Sequence, residues 1–284
     1  MPDRSLPEVS VPSPSQLLRR AVKPAAGAVD VVRRRAPGVV VLIYHRVGGG
    51  SGFELDMPTG LFEAQAAALA ESGRVVPLGD ALARLAEPEP SDGPDPVVVT
   101  FDDGTADFVD TALPILERHR LPVTLYAATS FIDEGRPFPG DGRPVSWQGL
   151  ADACATGLVQ VGSHTHEHRL LDRLPPDEIA DELDRSIELI GEHLGHQPLD
   201  FAYPKAVPGS PAADRAVRER FRSAALAGTR PNRYGSTDPH RLARSPIQSS
   251  DGLRWCRRKL DGGMAMEDGL RRILNRFRYA GDTT

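Results

Sequence analysis

The sequence predicts an α/β fold with parallel strands, either closed into a barrel or laid out as a doubly wound sheet. Three observations predict it. Seven short apolar runs alternate along the chain with stretches whose apolar residues recur at helical spacing. Strands that alternate with helices pair in parallel, and no internal repeat suggests any other arrangement. Polar residues also collect where the apolar runs end: His45, Asp102 with Asp103, His164 and Tyr203. Barrels of this class gather their chemistry at the C-terminal ends of their strands.

The elements follow in order. Residues 1–36 read as a flexible basic leader, with seven Lys and Arg against three acidic residues. "VVVLIYH" (39–45) is a buried strand, because it is continuously apolar and largely β-branched. Leu61, Phe62, Ala66 and Leu69 recur at helical intervals across 59–73, and Gly73 suits the C-cap. "RVVPL" (74–78) reads as a second strand and "GDALARLAE" as a short helix, followed by a Pro/Asp-rich loop. "VVVTF" (97–101), "PVTLYAA" (122–128), "LVQVGS" (158–163), "FAYP" (201–204) and "SAALAG" (223–228) are the remaining strands. Helices are expected at 105–119, 146–157, 175–194 and 211–220, with a Gly/Pro loop at 133–145. The expected organisation is therefore a leader (1–36), one α/β domain (37–262), and a tail (263–284) containing an amphipathic helix.

Composition narrows the function. With 284 residues, 40% apolar and 26% charged, the chain is long enough for one large domain with a substantial core. A net charge of −5 argues against nucleic acid as a partner. The basic ends (residues 254–278 carry eight Lys and Arg against three acids) could touch an anionic membrane surface. Two cysteines, Cys154 and Cys256, make no disulfide framework. The polar, Pro-rich start is not read as a secretory signal, and no run approaches the roughly 18 apolar residues of a membrane span. A cytoplasmic or membrane-peripheral location is expected over a secreted one.

Chemistry concentrates in two short stretches, "TFDDG" (100–104) and "GSHTHEH" (162–168). A four-residue spacing puts His164 and His168 on one face in either regular geometry, whereas His166 joins them only on an extended backbone. Two neutral imidazoles with one carboxylate make a typical open site for a divalent transition metal. Asp102 or Asp103 can supply the acid. Adjacent strand residues point to opposite sides, however, so both reach one pocket only if the strand end is distorted. An isolated Asp-Asp-Gly is usually a turn, and an isolated His-x-x-x-His is usually a surface feature. Their joint occurrence at two strand ends of one α/β chain gives them weight.

"TFDDG" followed by "HTHEH" closely resembles the polysaccharide deacetylases, the NodB-homology carbohydrate esterases, across roughly residues 37–250. The resemblance implies a distorted (β/α)7-type barrel and a metal-dependent N-deacetylase acting on N-acetylated polysaccharide or oligosaccharide. It implies Asp103, His164 and His168 as metal ligands and Asp102 as general base, with zinc the expected ion and cobalt, nickel or iron the others such donors take. The family's third motif is altered. "FAYPKA" (201–206) keeps Pro204 but has Ala202 where the family carries Arg, then Lys205 and Ala206 for its Tyr and Gly. Lys205 is expected to offer its backbone N–H to the oxyanion. The family's C-terminal Leu-x-His is missing after residue 240, and "VLIYHRV" near the N-terminus resembles a circularly permuted poly-N-acetylglucosamine deacetylase subgroup. By that analogy His45 is the general acid. Tyr44 and Trp147 are candidates to stack on sugar rings, Tyr203 to line the pocket, and Arg244 to steady Asp102 in place of the missing Arg. A deacylase of a small amide or lipid-linked sugar is the alternative within hydrolases; the altered third motif also fits a carbohydrate-binding relic.

Overall fold

The computed structural model describes residues 36–88 and 93–265. The expected basic leader and the body of the expected C-terminal helix lie outside the described residues. Among the described residues, regular structure opens with β1 (Val40–Tyr44), followed by a ribbon of β2 (Arg46–Val47) and β3 (Asp56–Met57), then α1 (Thr59–Glu71) and α2 (Leu78–Leu85). Next come β4 (Val97–Asp103), a π-helical turn at 108–112 that runs into α3 (Leu113–His119), β5 (Val123–Ala127), α4 (Thr129–Glu134), α5 (Trp147–Ala155) and β6 (Val159–Ser163). The remainder is α6 (Pro176–Leu194), β7 (Asp200–Ala202), α7 (Pro211–Arg220), β8 (Ser223–Ala227), β9 (Leu242–Pro246) and α8 (Gly252–Leu260).

Seven strands pair in parallel in the order β1-β4-β5-β6-β7-β8-β9, and β1 pairs back onto β9 with Val41 opposite Arg244. The sheet is therefore a closed barrel, which resolves the choice that alternation left open. Strand alternation sorts its residues into two sets. Val41, Val98, Tyr126, Ala202, Ala225 and Leu242 point inward and share a cluster with Leu78, Ala81 and Leu85 of α2. Because Val75 bridges to Val97 at the start of β4, α2 plugs the N-terminal mouth. Leu42, Val99, Leu125 and Val161 point outward against Phe62, Leu116 and Leu150 of the surrounding helices. With one mouth plugged, the other end, where the strands finish, is where a site can form.

Three assignments made from the pattern are corrected. "RVVPL" at 74–78 is no barrel strand: it makes one bridge to β4, Pro77 has no N–H to extend the ladder, and α2 starts at Leu78. The seventh strand is instead 242–246, where no strand was expected because buried Arg244 and Ser245 and a terminal Pro246 break the apolar run. The third-motif strand also stops at Ala202, so Tyr203 begins a 3₁₀ turn.

The barrel interior is tight around β6. A Cβ on Gly162 would lie 2.7 Å from the Asp200 carbonyl oxygen and 2.7 Å from the Tyr126 ring. Gly162→Ala is expected to destabilise the fold by about 1–3 kcal/mol, seen as a lower denaturation midpoint. An unchanged midpoint would mean that this level of the barrel has room to spare.

Candidate active site

At its C-terminal end β4 turns abruptly. Gly104 N–H donates to the Asp102 carbonyl at 3.1 Å, and Asp103 between them has φ 76°. This i→i+2 turn is rare and strained for a non-glycine residue, and Gly104 (φ 99°) accommodates its exit. It supplies the distorted strand end that the paired acids required. Along β4, Val98, Thr100 and Asp102 share the inward face, and simple alternation would send Asp103 outward into the helices. The turn redirects it over the barrel mouth.

The histidines arrive from β6. Val159 and Val161 pack outward and Ser163 Oγ meets Ser186 of α6, so alternation aims His164 inward. His164 Nδ1 lies 2.7 Å from the Ala202 carbonyl oxygen. A carbonyl can only accept, so Nδ1 carries the proton and Nε2 keeps its lone pair for a metal. The loop then reverses through left-handed backbone at Thr165 (φ 65°) and His168 (φ 59°). This brings the His168 ring to 4.9 Å from the His164 ring, centroid to centroid.

Asp103 Oδ1 ends 3.7 Å from His164 Nε2 and 3.6 Å from His168 Nε2. One ligand atom from each of the three lies within 4.8 Å of the others. Ligand atoms held about 2.0–2.2 Å from a tetrahedral zinc stand about 3.3 Å apart. The donor set, the spacing and the His164 tautomer therefore fit a divalent ion after small side-chain movements. Burial, with repulsion from His164, pushes the His168 imidazole down to about 4, so it stays neutral and available as a ligand. His166 turns away, its Nδ1 3.0 Å from Thr129 Oγ1.

Asp102 stands beside this cluster, its Oδ2 3.9 Å from His164 Nε2. Arg244, fully buried on β9, grips it with both terminal nitrogens: Nη1 donates to Oδ1 at 2.6 Å and Nη2 to Oδ2 at 2.9 Å. Nη1 also donates to Thr100 Oγ1 at 3.1 Å, and the guanidinium lies over the Tyr126 ring. Burial alone would raise the Asp102 carboxyl, but Arg244, His164 and His45 outweigh it and hold the group at about 2. Asp102 is thus ionised across the ordinary pH range. His45 follows β1 half-buried, and its Nδ1 has no hydrogen-bond partner among the described residues. Lys205 is exposed, has left-handed backbone (φ 51°), and lies near enough to His168 to disfavour its protonation.

Several expected substrate contacts are corrected. Tyr44 is buried on the outward face of β1, stacked on Phe101 and edge-on to Phe62, with its hydroxyl donating to Gln65 Oε1. Such a ring packs the core and cannot meet a sugar. Tyr203 is also buried, edge-on to Phe201. Arg244, expected beside Asp102, does contact that carboxylate and has no surface for substrate. Trp147 remains half-buried, stacked on His193 and donating to Asp133 Oδ1 on the helical flank. Sequence reading missed Thr100 and Glu182. Glu182 had a signal: it falls within the apolar stripe of Ile179, Leu183 and Ile190 on α6, where an acid needs a reason.

The family model described as polysaccharide deacetylase matches residues 89–224, which hold Asp102, Asp103, His164, His168 and Lys205 but neither His45 nor Arg244. The Bacillus subtilis (strain 168) protein YxkH, provisionally named a polysaccharide deacetylase, is 25% identical over 166 residues, covering 58% of this chain and 55% of YxkH. The matched part therefore spans about half the length of that curated relative. Among solved structures, IcaB from Ammonifex degensii is 27% identical, with a TM-score of 0.67 over 78% of this chain and 98% of its own. The Streptococcus pyogenes deacetylase PplD, solved with acetate, shares the fold at 18% identity, with a TM-score of 0.69 over 79% of this chain and 98% of its own.

Proposed function

We propose that this chain, matched over residues 89–224 by the polysaccharide deacetylase family model, is a metal-dependent hydrolase of that family that removes N-acetyl groups from sugar units of a polysaccharide. The observation that carries the reading is the meeting of Asp103, His164 and His168 beside an ionised Asp102 held by Arg244. Imidazole and carboxylate donors suit zinc first, and also cobalt, nickel or iron.

An acetamide is a poor electrophile and its amine a poor leaving group, so the reaction needs an activated water, a stabilised oxyanion and a proton for nitrogen. A divalent ion, when bound, lowers the pKa of a water and polarises the amide carbonyl. Asp102 accepts the proton of the attacking water. Arg244 fixes the direction of that carboxylate, taking the part that the third-motif Arg plays by resemblance. The backbone N–H of Lys205 bears part of the oxyanion charge, an effect often worth a few kcal/mol. His45, protonated, delivers a proton to the departing nitrogen, and its place at the end of the first barrel strand fits the permuted subgroup.

The test is acetate release from N-acetylglucosamine oligomers and from the monomer, with and without a chelator. Oligomer turnover that the chelator abolishes and added zinc or cobalt restores is the expected result. Release confined to the monomer would move the substrate to a small amide, and no release with metal bound would favour the relic. Asp103→Ala and His168→Ala are each expected to lose both the bound ion and the activity, checked by elemental analysis of purified protein. No helix among the described residues is long and apolar enough to cross a membrane, and the basic ends that suggested membrane contact lie mostly outside them.

A further inference from the structure

We propose that Glu182, on α6, is the positioning residue that shapes the histidine loop for metal binding; this inference rests on the metal reading above. The loop must hold two non-glycine residues, Thr165 and His168, in left-handed backbone. Such conformations cost of order 1–3 kcal/mol each and persist only where the surroundings over-determine them. His164 is anchored independently by the Ala202 carbonyl. His168 lies at the far end of the reversal, so its distance from the other ligands depends on the path of residues 165–167.

Two structures grip that path from opposite sides. The first N–H groups of α4 donate into it, Thr129 N–H to the Thr165 carbonyl at 3.3 Å and Ser130 N–H to the His166 carbonyl at 3.0 Å. From the other side Glu182 holds it twice: its main-chain carbonyl and its side-chain Oε2 share the His166 N–H, each at 3.1 Å, and Oε2 alone accepts the Glu167 N–H at 2.8 Å. Glu182 is only 4% exposed, and a buried acid is tolerated where donors compensate it; here both donors belong to the loop. The α4 contacts are backbone to backbone and indifferent to side-chain identity. Three other side chains touch the path: Ser163 Oγ accepts the Thr165 N–H at 3.2 Å, Thr129 Oγ1 lies 3.0 Å from His166 Nδ1, and Arg136 donates to Glu167 at 2.6 Å, the last pair about 40% exposed on both partners and correspondingly weak. Among the described contacts, Glu182 is the buried side chain that accepts two consecutive main-chain N–H groups in the middle of the loop. It touches none of the three ligand side chains and acts through the backbone between them.

The experiment titrates metal-free protein with zinc against a chromophoric chelator and needs no turnover. Glu182→Ala is expected to bind zinc about 10–100-fold more weakly, and Glu182→Gln, whose amide oxygen can accept both N–H groups, to stay within a few-fold of wild type. Equal affinity in wild type and Glu182→Ala would overturn the proposal. So would Glu182→Gln binding as weakly as Glu182→Ala, because the accepting oxygen would then be irrelevant. If the alanine variant does not fold, Glu182→Asp, which draws the oxygen back by one methylene, is expected to show the same loss; wild-type affinity there overturns the proposal. Wild-type protein that takes up no zinc sinks the metal reading and this inference together. Wild-type binding that Glu182→Ala leaves untouched sinks this inference alone.

Discussion

Asp102→Asn is expected to lower the turnover of an N-acetylated oligosaccharide by about 10²–10⁴-fold, the usual contribution of a positioned general base, with metal content unchanged. The amide has nearly the carboxylate's shape and cannot take a proton from water. The proposed ligand atoms belong to Asp103, His164 and His168, so the ion should stay. The substitution also removes the charge opposite buried Arg244, so turnover must be measured well below the variant's melting temperature, beside elemental analysis. Full activity with metal bound would remove Asp102 from the base role. Loss of the metal together with activity would mean that Asp102 belongs to the ligand set.

Arg244→Met is expected to destabilise the protein by about 3–5 kcal/mol, the usual cost of stranding one member of a buried ion pair. Both partners are almost fully buried, and the side chain lies on the strand that closes the barrel. The loss should depend on pH in a definite direction. In the native protein the Asp102 carboxyl sits at about 2, below its ordinary 3.8, so the pair adds stability above the ordinary value and loses it as pH falls toward 2. Without Arg244, burial, already the largest single influence on Asp102, is opposed less and shifts the carboxyl toward its protonated form. The gap between wild type and variant, measured on metal-free protein by denaturant unfolding, should be widest near neutral pH and narrow below about pH 4. A gap of under about 1 kcal/mol at neutral pH would show that water or another donor already balances the Asp102 charge.

Local patterns carried much of this far. Continuous apolar runs marked six of the seven barrel strands, since strands covered on both faces need apolar residues throughout. The four-residue spacing of His164 and His168 pairs them under any regular backbone, and the Asp-Asp-Gly turn announced a carboxylate at a strand end. The failures share one origin. "RVVPL" is as apolar as a barrel strand yet makes one bridge, because Pro77 interrupts its ladder. The strand at 242–246 was invisible because it carries Arg244 into the interior, where only its partner 142 residues earlier makes an arginine tolerable. Tyr44 looked like a sugar platform until alternation and α1 placed it in the core.

The chain's own order of residues thus settles which groups are capable of the chemistry, because ligand type, strand period and helical spacing are local properties. Whether those groups meet was decided by folding. Closure of β1 onto β9 set Arg244 against Asp102, a left-handed turn swung Asp103 toward the imidazoles, and a carboxylate from α6 took hold of the loop that carries them. Each of these contacts joins residues distant along the chain or reverses its local direction, and no window of neighbouring residues encodes a distance of that kind.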